Sequence, residues 1–180
     1  MATASPSDVL AAALSRPPTL GEGRLICIDG LAGSGKTTLA RALASLAPEA
    51  VVLGTDEMLE GWRGLPGLGA SVDALLRPLS AGRPGRWRRW DWYADAWDGT
   101  FVVDPGPLLV LEGVGSAAAS YASLVTLAVW VEADLDVRLA RWLERDGEEM
   151  RPHWDAWLAD EEALHAREGT RERADLVVRT

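Results

Sequence analysis

The chain has 180 residues, 48% of them hydrophobic, which is enough to form the core of one globular domain. Its 27 acidic and 18 basic side chains give a formal net charge of −9, which argues against a protein that grips a long nucleic acid by its phosphates. We therefore expect a small-molecule partner and no polymeric nucleic acid. The one cysteine, Cys27, lies in an apolar run and is expected to be buried and reduced, as in the cytoplasm.

Residues 1–23 predict a short helix and a linker that pack on the domain that follows. The helix is expected over Ser7–Ser15, with Ser7 or Asp8 as its N-cap, and Arg16-Pro17-Pro18 ends it. The segment has neither a basic leader nor a run of membrane length, so it resembles neither a signal peptide nor a membrane span. We expect residues 24–180 to form the functional domain, without contact with a membrane.

Five apolar segments have the length and the β-branched composition of strands. They do not alternate apolar with polar residues, which is typical of parallel strands that are buried on both faces. The predicted strands are Leu25–Asp29, Val51–Gly54, Leu108–Leu111, Leu127–Val131 and Asp175–Val178. The predicted helices between most of them are Lys36–Leu46, Ser116–Leu124, Leu135–Asp146 and His153–Arg167. This alternation indicates an α/β sandwich with a parallel sheet.

The first strand leads into Gly30–Thr37, which reads GLAGSGKT and matches the pattern G-x-x-x-x-G-K-[ST]. The glycines allow a tight turn that points N–H groups at phosphate oxygens, and the helix that follows directs its positive end at the same charge. Lys36 adds a cation for the terminal phosphates, and Thr37 adds a hydroxyl for Mg2+. We therefore predict that the loop binds a nucleotide triphosphate. The expected binding residues are Gly30, Leu31, Ala32, Gly33, Ser34, Gly35, Lys36, Thr37 and Thr38.

Two acidic residues follow predicted strands and are expected near this loop. Asp56, in VVLGTDEM, can accept the proton of an acceptor hydroxyl or hold magnesium through water, although Thr55 or Asp56 could instead cap a helix. Glu112, in LLVLEGVG, needs a partner if it is buried, and this is either Mg2+ with its water shell or an arginine or backbone amides. We expect both carboxylates to line the acceptor site, and Glu112 and Thr37 to bind the metal.

Residues 57–107 interrupt the alternation of strands and helices with clustered Gly, Pro, Arg and Trp. We expect this excursion to pass over the carboxyl edge of the sheet, where α/β proteins bind ligands. Its interleaved arginines and aromatic residues could stack a base and attract phosphates, or they could form a local core. The residues that we assign to acceptor binding here are Arg83, Arg89, Trp92 and Tyr93.

Further along the chain, DVRLARWLERD places Arg138, Arg141 and Arg145 on one helix face. Guanidinium groups suit phosphate oxygens, so the cluster could neutralise charge on a phosphoryl group in transfer, or it could be a solvated face. We assign a catalytic role to the three arginines together with Lys36 and Asp56. Residues 134–152 are then expected to form a lid.

Taken in order, GLAGSGKT, Asp56, RWRRWDW, VLEGVG, RLARWLERD and ADLVV resemble the uridine kinase branch of P-loop nucleoside and nucleotide kinases. The resemblance runs from about Arg24 to Val178. It implies a P-loop NTPase three-layer sandwich with a five-stranded parallel sheet and a helical lid. It also implies that the loop grips ATP with Mg2+ and that Asp56 acts as base on the acceptor hydroxyl. Glu112 would belong to the Glu-Gly pair that ends a central strand, and the arginines would close over the phosphates.

The chain departs from this family at two places. Family members often carry two adjacent arginines in the lid and an aromatic residue soon after the catalytic aspartate, whereas Trp142 follows Arg141 here and Glu57-Met58-Leu59 follows Asp56. The leading hypothesis is ATP-dependent phosphorylation of a small-molecule hydroxyl, with a nucleoside as the preferred acceptor. The alternatives are a nucleoside monophosphate kinase, which would use arginines of the excursion, and a non-catalytic nucleotide-dependent switch. No residue pattern specifies an oligomeric state.

Overall fold

The computed structural model describes residues 4–180, and seven strands lie in this part of the chain. Five of them form a parallel sheet in the order β2-β5-β1-β6-β7, and the other two form a separate antiparallel hairpin, β3-β4. The strands are β1 (Arg24–Asp29), β2 (Val51–Gly54), β3 (Gly85–Asp91), β4 (Ala96–Val103), β5 (Leu108–Glu112), β6 (Leu127–Glu132) and β7 (Leu176–Arg179). The predicted five-stranded parallel sheet is therefore confirmed.

Helices cover both faces of the sheet. Within the described residues they are α1 (Pro6–Leu14), α2 (Lys36–Leu46), α3 (Leu68–Ser80), α4 (Leu135–Asp146), α5 (Arg151–Glu168) and the short α6 (Thr170–Arg173). None of the helices in residues 4–180 combines the length and the apolar character needed to cross a bilayer.

The central strand β1 is apolar at its four inner positions, residues 25–28. Ile26 and Ile28 point to one side, into a core that includes Leu43 of α2. Leu25 and Cys27 point to the other side, into a larger core with α3 and α5. Because successive side chains of a strand face opposite sides and both sides are covered, apolar residues are favoured at all four of these positions. Cys27 is fully buried, as expected.

The N-terminal helix starts one residue earlier than predicted, and its cap is different. Ser5 is the N-cap: its Oγ accepts a hydrogen bond from the Asp8 N–H at 3.2 Å, and the Ser5 N–H donates to Asp8 Oδ2 at 2.9 Å. Pro6 then occupies the first helical position, where its missing N–H costs nothing. The prediction that Ser7 or Asp8 is the cap was wrong, although Asp8 takes part in the cap as the partner of Ser5. Residues 1–3 of the predicted segment lie outside the described residues.

The predicted helix at Ser116–Leu124 is also wrong, since only a 3-10 turn forms at Ala119–Leu124. Asp29 explains the difference, because its carboxylate accepts hydrogen bonds from the N–H groups of Gly115 and Ala117, both at 2.9 Å. These bonds hold residues 114–117, which follow β5, in a turn beside the end of β1. A helix could not start there without giving them up.

The excursion contains more regular structure than its composition predicts. Leu68, Val72, Leu75 and Leu79 are buried on one face of α3, and their spacing of three or four residues is that of a helix. After α3, the strands β3 and β4 pair with Gly85 opposite Val103 and Trp87 opposite Phe101. The excursion is thus a helix followed by a hairpin, which packs on α3.

Candidate active site

The loop between β1 and α2 has the backbone of a phosphate-binding turn. Gly30, Gly33 and Gly35 adopt positive φ angles of 144°, 75° and 99°. A Cβ atom at Gly30 would overlap the Val131 carbonyl, and one at Gly33 would overlap the Arg138 carbonyl. Glycine is therefore required at these two positions both by backbone conformation and by space. The loop ends at Gly35, the N-cap of α2. The N-terminal end of α2 is therefore directed at the space that the loop encloses.

Lys36 lies across this loop. Its side chain is only 7% exposed, and Nζ donates a hydrogen bond to the Leu31 carbonyl oxygen at 2.9 Å. Burial lowers the pKa of Lys36, while the nearby carboxylates of Glu161, Glu112 and Asp29 raise it. The Lys36 ammonium group is thus held in place by a backbone carbonyl group of the loop.

Thr37 and Glu112 meet on the adjacent side of the loop. Thr37 Oγ1 donates a hydrogen bond to Glu112 Oε1 at 2.8 Å. Burial raises the pKa of Glu112, against the effects of the Thr37 hydrogen bond and the Lys36 charge. The hard oxygen atoms of this pair fit Mg2+. Residues 4–180 contain no group of three or more His, Cys, Asp and Glu side chains suited to a metal.

Asp56 lies beside Glu112 at the end of the neighbouring strand. Gly54 pairs with Glu112 across β2 and β5, and a Cβ at Gly54 would touch Asp56 Oδ1 while lying 4.0 Å from Glu112 Oε1. Asp56 is exposed and belongs to the 3-10 turn Thr55–Met58, which has no side-chain cap. Thr55 is instead buried, and its Oγ1 donates to the Val114 carbonyl oxygen at 3.0 Å. The structure therefore does not support the alternative that Asp56 serves as a helix cap.

The three arginines of α4 all face the phosphate loop, but each has a different environment. Arg138 is buried, and its Nη1 donates to the Ala32 carbonyl oxygen at 3.3 Å. Arg141 Nη1 donates to Thr180 Oγ1 at 2.8 Å and lies 3.5 Å from the Gly33 carbonyl oxygen.

Arg145 is exposed, as Arg141 is. It pairs with Asp146 at 2.6 Å, and this pair, helped by the charges of Asp56 and Glu112, raises the pKa of Arg145. Its guanidinium group therefore lies in the field of both candidate catalytic carboxylates.

The acceptor-binding residues predicted in the excursion are only partly brought to this site. The Trp92 indole Nε1 donates to the Asp56 carbonyl oxygen at 3.1 Å. Tyr93, one residue later, is fully exposed at the tip of the hairpin. Arg89 Nε pairs with Asp98 at 3.1 Å on the opposite strand, and its guanidinium group stacks over Phe101. Arg83 is exposed in the turn before β3.

An aromatic group that the sequence did not predict surrounds Trp62, which contacts Trp92. Trp62 makes an edge contact with Trp92 at a ring-centroid distance of 5.1 Å and stacks in parallel with His153 of α5 at 4.7 Å. Trp142 and Trp157 lie against the other edges of Trp62. The turn that carries Asp56 is thus joined by Trp92 and Trp62 to helices α4 and α5.

Two buried carboxylates at the loop were also not predicted. Asp29 ends β1, and in addition to its bonds beyond β5 it accepts a hydrogen bond from the Gly30 N–H at 2.7 Å. The sequence carries a signal for this residue, since an acidic residue that ends an apolar strand must find partners. Glu161 of α5 accepts hydrogen bonds from the Ala32 N–H at 2.9 Å to each oxygen. No local pattern in the sequence identifies Glu161.

A parallel sheet with the order β2-β5-β1-β6-β7, a glycine-rich loop after β1, and Lys36 and Thr37 at the start of α2 define a P-loop NTPase fold. No protein-family model and no curated protein matches the chain. Among solved structures, the chain is similar to a possible uridine kinase from Bacillus stearothermophilus, with 20% identity over 96% of this chain and 97% of that chain and a TM-score of 0.64. It is also similar to a candidate fructose transport system kinase from Silicibacter sp. TM1040, with 19% identity over 98% of each chain and a TM-score of 0.59. The predicted resemblance to uridine kinase-like P-loop proteins is confirmed at the level of the fold.

Proposed function

We propose that this protein is an ATP-dependent kinase that phosphorylates a hydroxyl group of a small molecule. The observation that carries the proposal is the pair of carboxylates beside the phosphate loop. Glu112 is buried and bound to Thr37, whereas Asp56, on the neighbouring strand, is exposed to an incoming molecule. This arrangement gives one carboxylate to the metal and leaves the other available to an acceptor.

The loop residues bind and orient the phosphate groups. The N–H groups of the loop and the N-terminal end of α2 stabilise negative charge, and Lys36 places its ammonium group over the same space. Thr37 and Glu112 would hold Mg2+, which supplies neutralisation of phosphate charge when it is bound. Arg145 adds a positive charge at the edge of the site that faces Asp56.

Asp56 acts on the acceptor. A hydroxyl group that approaches beside β2 can donate its proton to the Asp56 carboxylate as its oxygen attacks the terminal phosphorus of ATP. The bond between that phosphorus and the bridging oxygen breaks, and ADP leaves. The carboxylate is exposed, so an acceptor hydroxyl can reach it. The buried Thr55 and the Trp92 hydrogen bond fix the turn that orients it.

A nucleoside is the acceptor that we favour within this proposal. Support comes from the aromatic rings of Trp62 and Trp92, which adjoin the Asp56 turn and are suited to stacking on a planar base. A monophosphate acceptor would need cations that are available for its phosphate. Arg89 is instead paired with Asp98, and Arg88 is stacked over Trp97 on the exposed side of the hairpin.

The experiment is a phosphoryl-transfer screen with ATP labelled at the terminal phosphate. The acceptor panel contains nucleosides, nucleoside monophosphates, sugars and aminoglycoside-like alcohols. We expect magnesium-dependent transfer to a nucleoside. Transfer only to a monophosphate would replace the proposal with a nucleoside monophosphate kinase, and ATP binding without transfer to any acceptor would favour a nucleotide-dependent switch.

A further inference from the structure

Both polar backbone groups of Ala32, in the middle of the phosphate loop, are bound by side chains from two helices that are distant in sequence. The Ala32 N–H donates to both carboxylate oxygens of Glu161 at 2.9 Å. The Ala32 carbonyl oxygen accepts from Arg138 Nη1 at 3.3 Å. The loop is thus attached to α5 through its N–H and to α4 through its carbonyl group.

The two helical side chains also interact with each other in a buried environment. Glu161 Oε2 lies 3.9 Å from Arg138 Nη1, and the side chains are 0% and 5% exposed. A carboxylate that is buried this deeply is costly unless it has hydrogen-bond partners. Its partners here are a loop amide and the charges of Lys36 and Arg138, so its position depends on the loop geometry.

We propose that Glu161 is a positioning residue for nucleotide binding, and that its hydrogen bonds to the Ala32 amide hold the phosphate loop in its binding conformation. This inference rests on the proposed function. With Ala32 fixed, the backbone that follows it keeps the path through Gly33 and Gly35 into the start of α2, where Lys36 and Thr37 lie. Without Glu161, the buried Ala32 N–H loses its acceptor and the loop is held less firmly, so ATP binding must then order the loop again.

Three substitutions separate the hydrogen bond from the charge. Glu161→Gln keeps an oxygen acceptor at the same reach but removes the charge. Glu161→Asp keeps the charge but shortens the side chain by one methylene group, and Glu161→Ala removes both. Glu162→Gln is the matched control, because Glu162 is the exposed neighbour on the same helix.

The test measures the Kd for Mg-ATP by calorimetry and the hydrogen exchange of the loop peptide by mass spectrometry, with no acceptor present. We expect the Kd to rise about 10-fold or more in the Ala and Asp variants and to stay within about 3-fold of wild type in the Gln variant. Exchange in the loop should become faster in the Ala and Asp variants only. The control variant should match wild type in both measurements.

The outcomes distinguish this inference from the proposed function. If wild type does not bind Mg-ATP, the proposed function fails and this inference fails with it. If wild type binds and the Ala and Asp variants bind equally well or more tightly, only the role of Glu161 is overturned. A Gln variant as weak as the Ala variant would also overturn it. Should the Ala variant not fold, the comparison of Asp with Gln decides the question.

Discussion

Asp56 and Glu112 are neighbouring carboxylates whose environments differ. Glu112 is buried against Thr37, and burial raises its pKa, whereas Asp56 stands exposed at the end of the next strand. A group that must take a proton from an acceptor has to be reached by that acceptor, and a metal ligand has to be fixed. We therefore propose the base role for Asp56 and the metal role for Glu112.

The substitution Asp56→Asn tests this division of roles. It keeps the size of the side chain but removes the base, so acceptor phosphorylation should fall by roughly two to four orders of magnitude. Titration of the same preparation with Mg-ATP should give a Kd close to that of wild type. Glu57→Gln, at the adjacent exposed position, is the control and should retain activity. Loss of Mg-ATP binding with normal transfer per bound nucleotide would make Asp56 a metal-shell residue instead.

Glu161 also makes the stability of the protein depend on pH. Burial raises the pKa of Glu161 to about 7, although its hydrogen bond with Ala32 and the charges of Lys36 and Arg138 lower it. At pH values between the pKa of Glu161 in the unfolded chain and about 7, Glu161 is protonated in the folded state and ionised in the unfolded state. The contribution of Glu161 to the free energy of unfolding therefore decreases as the pH rises through this range.

Denaturant unfolding of wild type and Glu161→Gln at a series of pH values between 4.5 and 8 measures this effect. Since the glutamine variant cannot titrate at this position, its stability relative to wild type should increase by about 3 kcal/mol from pH 4.5 to pH 7 and then level off. Glu162→Gln should give a difference that does not vary with pH. A flat difference for Glu161→Gln would show that the carboxyl titrates normally.

At the residue scale, the sequence predicts the groups that belong to a continuous motif or directly follow an apolar strand. Thr37, Asp56 and Glu112 were found in this way, and the structure brings them together. Glu161 was not found because it follows the loop by 129 residues and sits on a helix with no clear apolar face. Only the tertiary contact reveals that this acidic residue is buried.

At the scale of secondary structure elements, helix α4 carries arginines to the edge of the site, and their environments predict different roles. Arg138 and Arg141 are bound to backbone or side-chain oxygen atoms near the loop, whereas Arg145 is exposed and lies in the field of Asp56 and Glu112. Arg145 is thus the member that can turn towards a phosphoryl group in transfer. In this structure, the Arg145 guanidinium group is paired with the carboxylate of its neighbour Asp146.

Arg145→Ala should therefore lower kcat about 10-fold or more while changing the KM for ATP by less than about 3-fold, because the charge is needed most in the transition state. Steady-state kinetics with ATP varied at saturating acceptor give both numbers. The control is Arg151→Ala, since Arg151 is an exposed arginine that pairs with Glu148 beyond the end of α4. An unchanged kcat in the Arg145 variant would instead support the alternative that this helix face is solvated and has no catalytic role.

The elements that were predicted well are those with a single strong signal. The observed bounds of α2, β2 and α4 equal the predicted ones, Lys36–Leu46, Val51–Gly54 and Leu135–Asp146. The hairpin was missed because its residues were interpreted by composition alone. In β3, Trp87 is buried and faces the core, while Arg86 and Arg88 face outward, so the arginine and tryptophan residues alternate as in an amphipathic strand.

At the scale of the whole molecule, the strand order assembles the site. Because β5 lies between β1 and β2, the phosphate loop, Glu112 and Asp56 follow neighbouring strands at the same edge of the sheet. The motifs indicate that these three features exist, but their adjacency depends on strand pairing over long sequence distances. The fold class was therefore predictable, whereas the contact between the loop and α5 was not.

The central claim is that this edge of the sheet transfers a phosphoryl group from Mg-ATP, and Lys36 tests it most directly. Lys36→Met keeps the apolar stem of the buried side chain and removes its charge. The measurement is acceptor-dependent turnover of labelled ATP by wild type and this variant, each shown to be folded by thermal unfolding. We predict a loss of about 100-fold or more in turnover. Wild-type turnover in the folded variant would contradict the account.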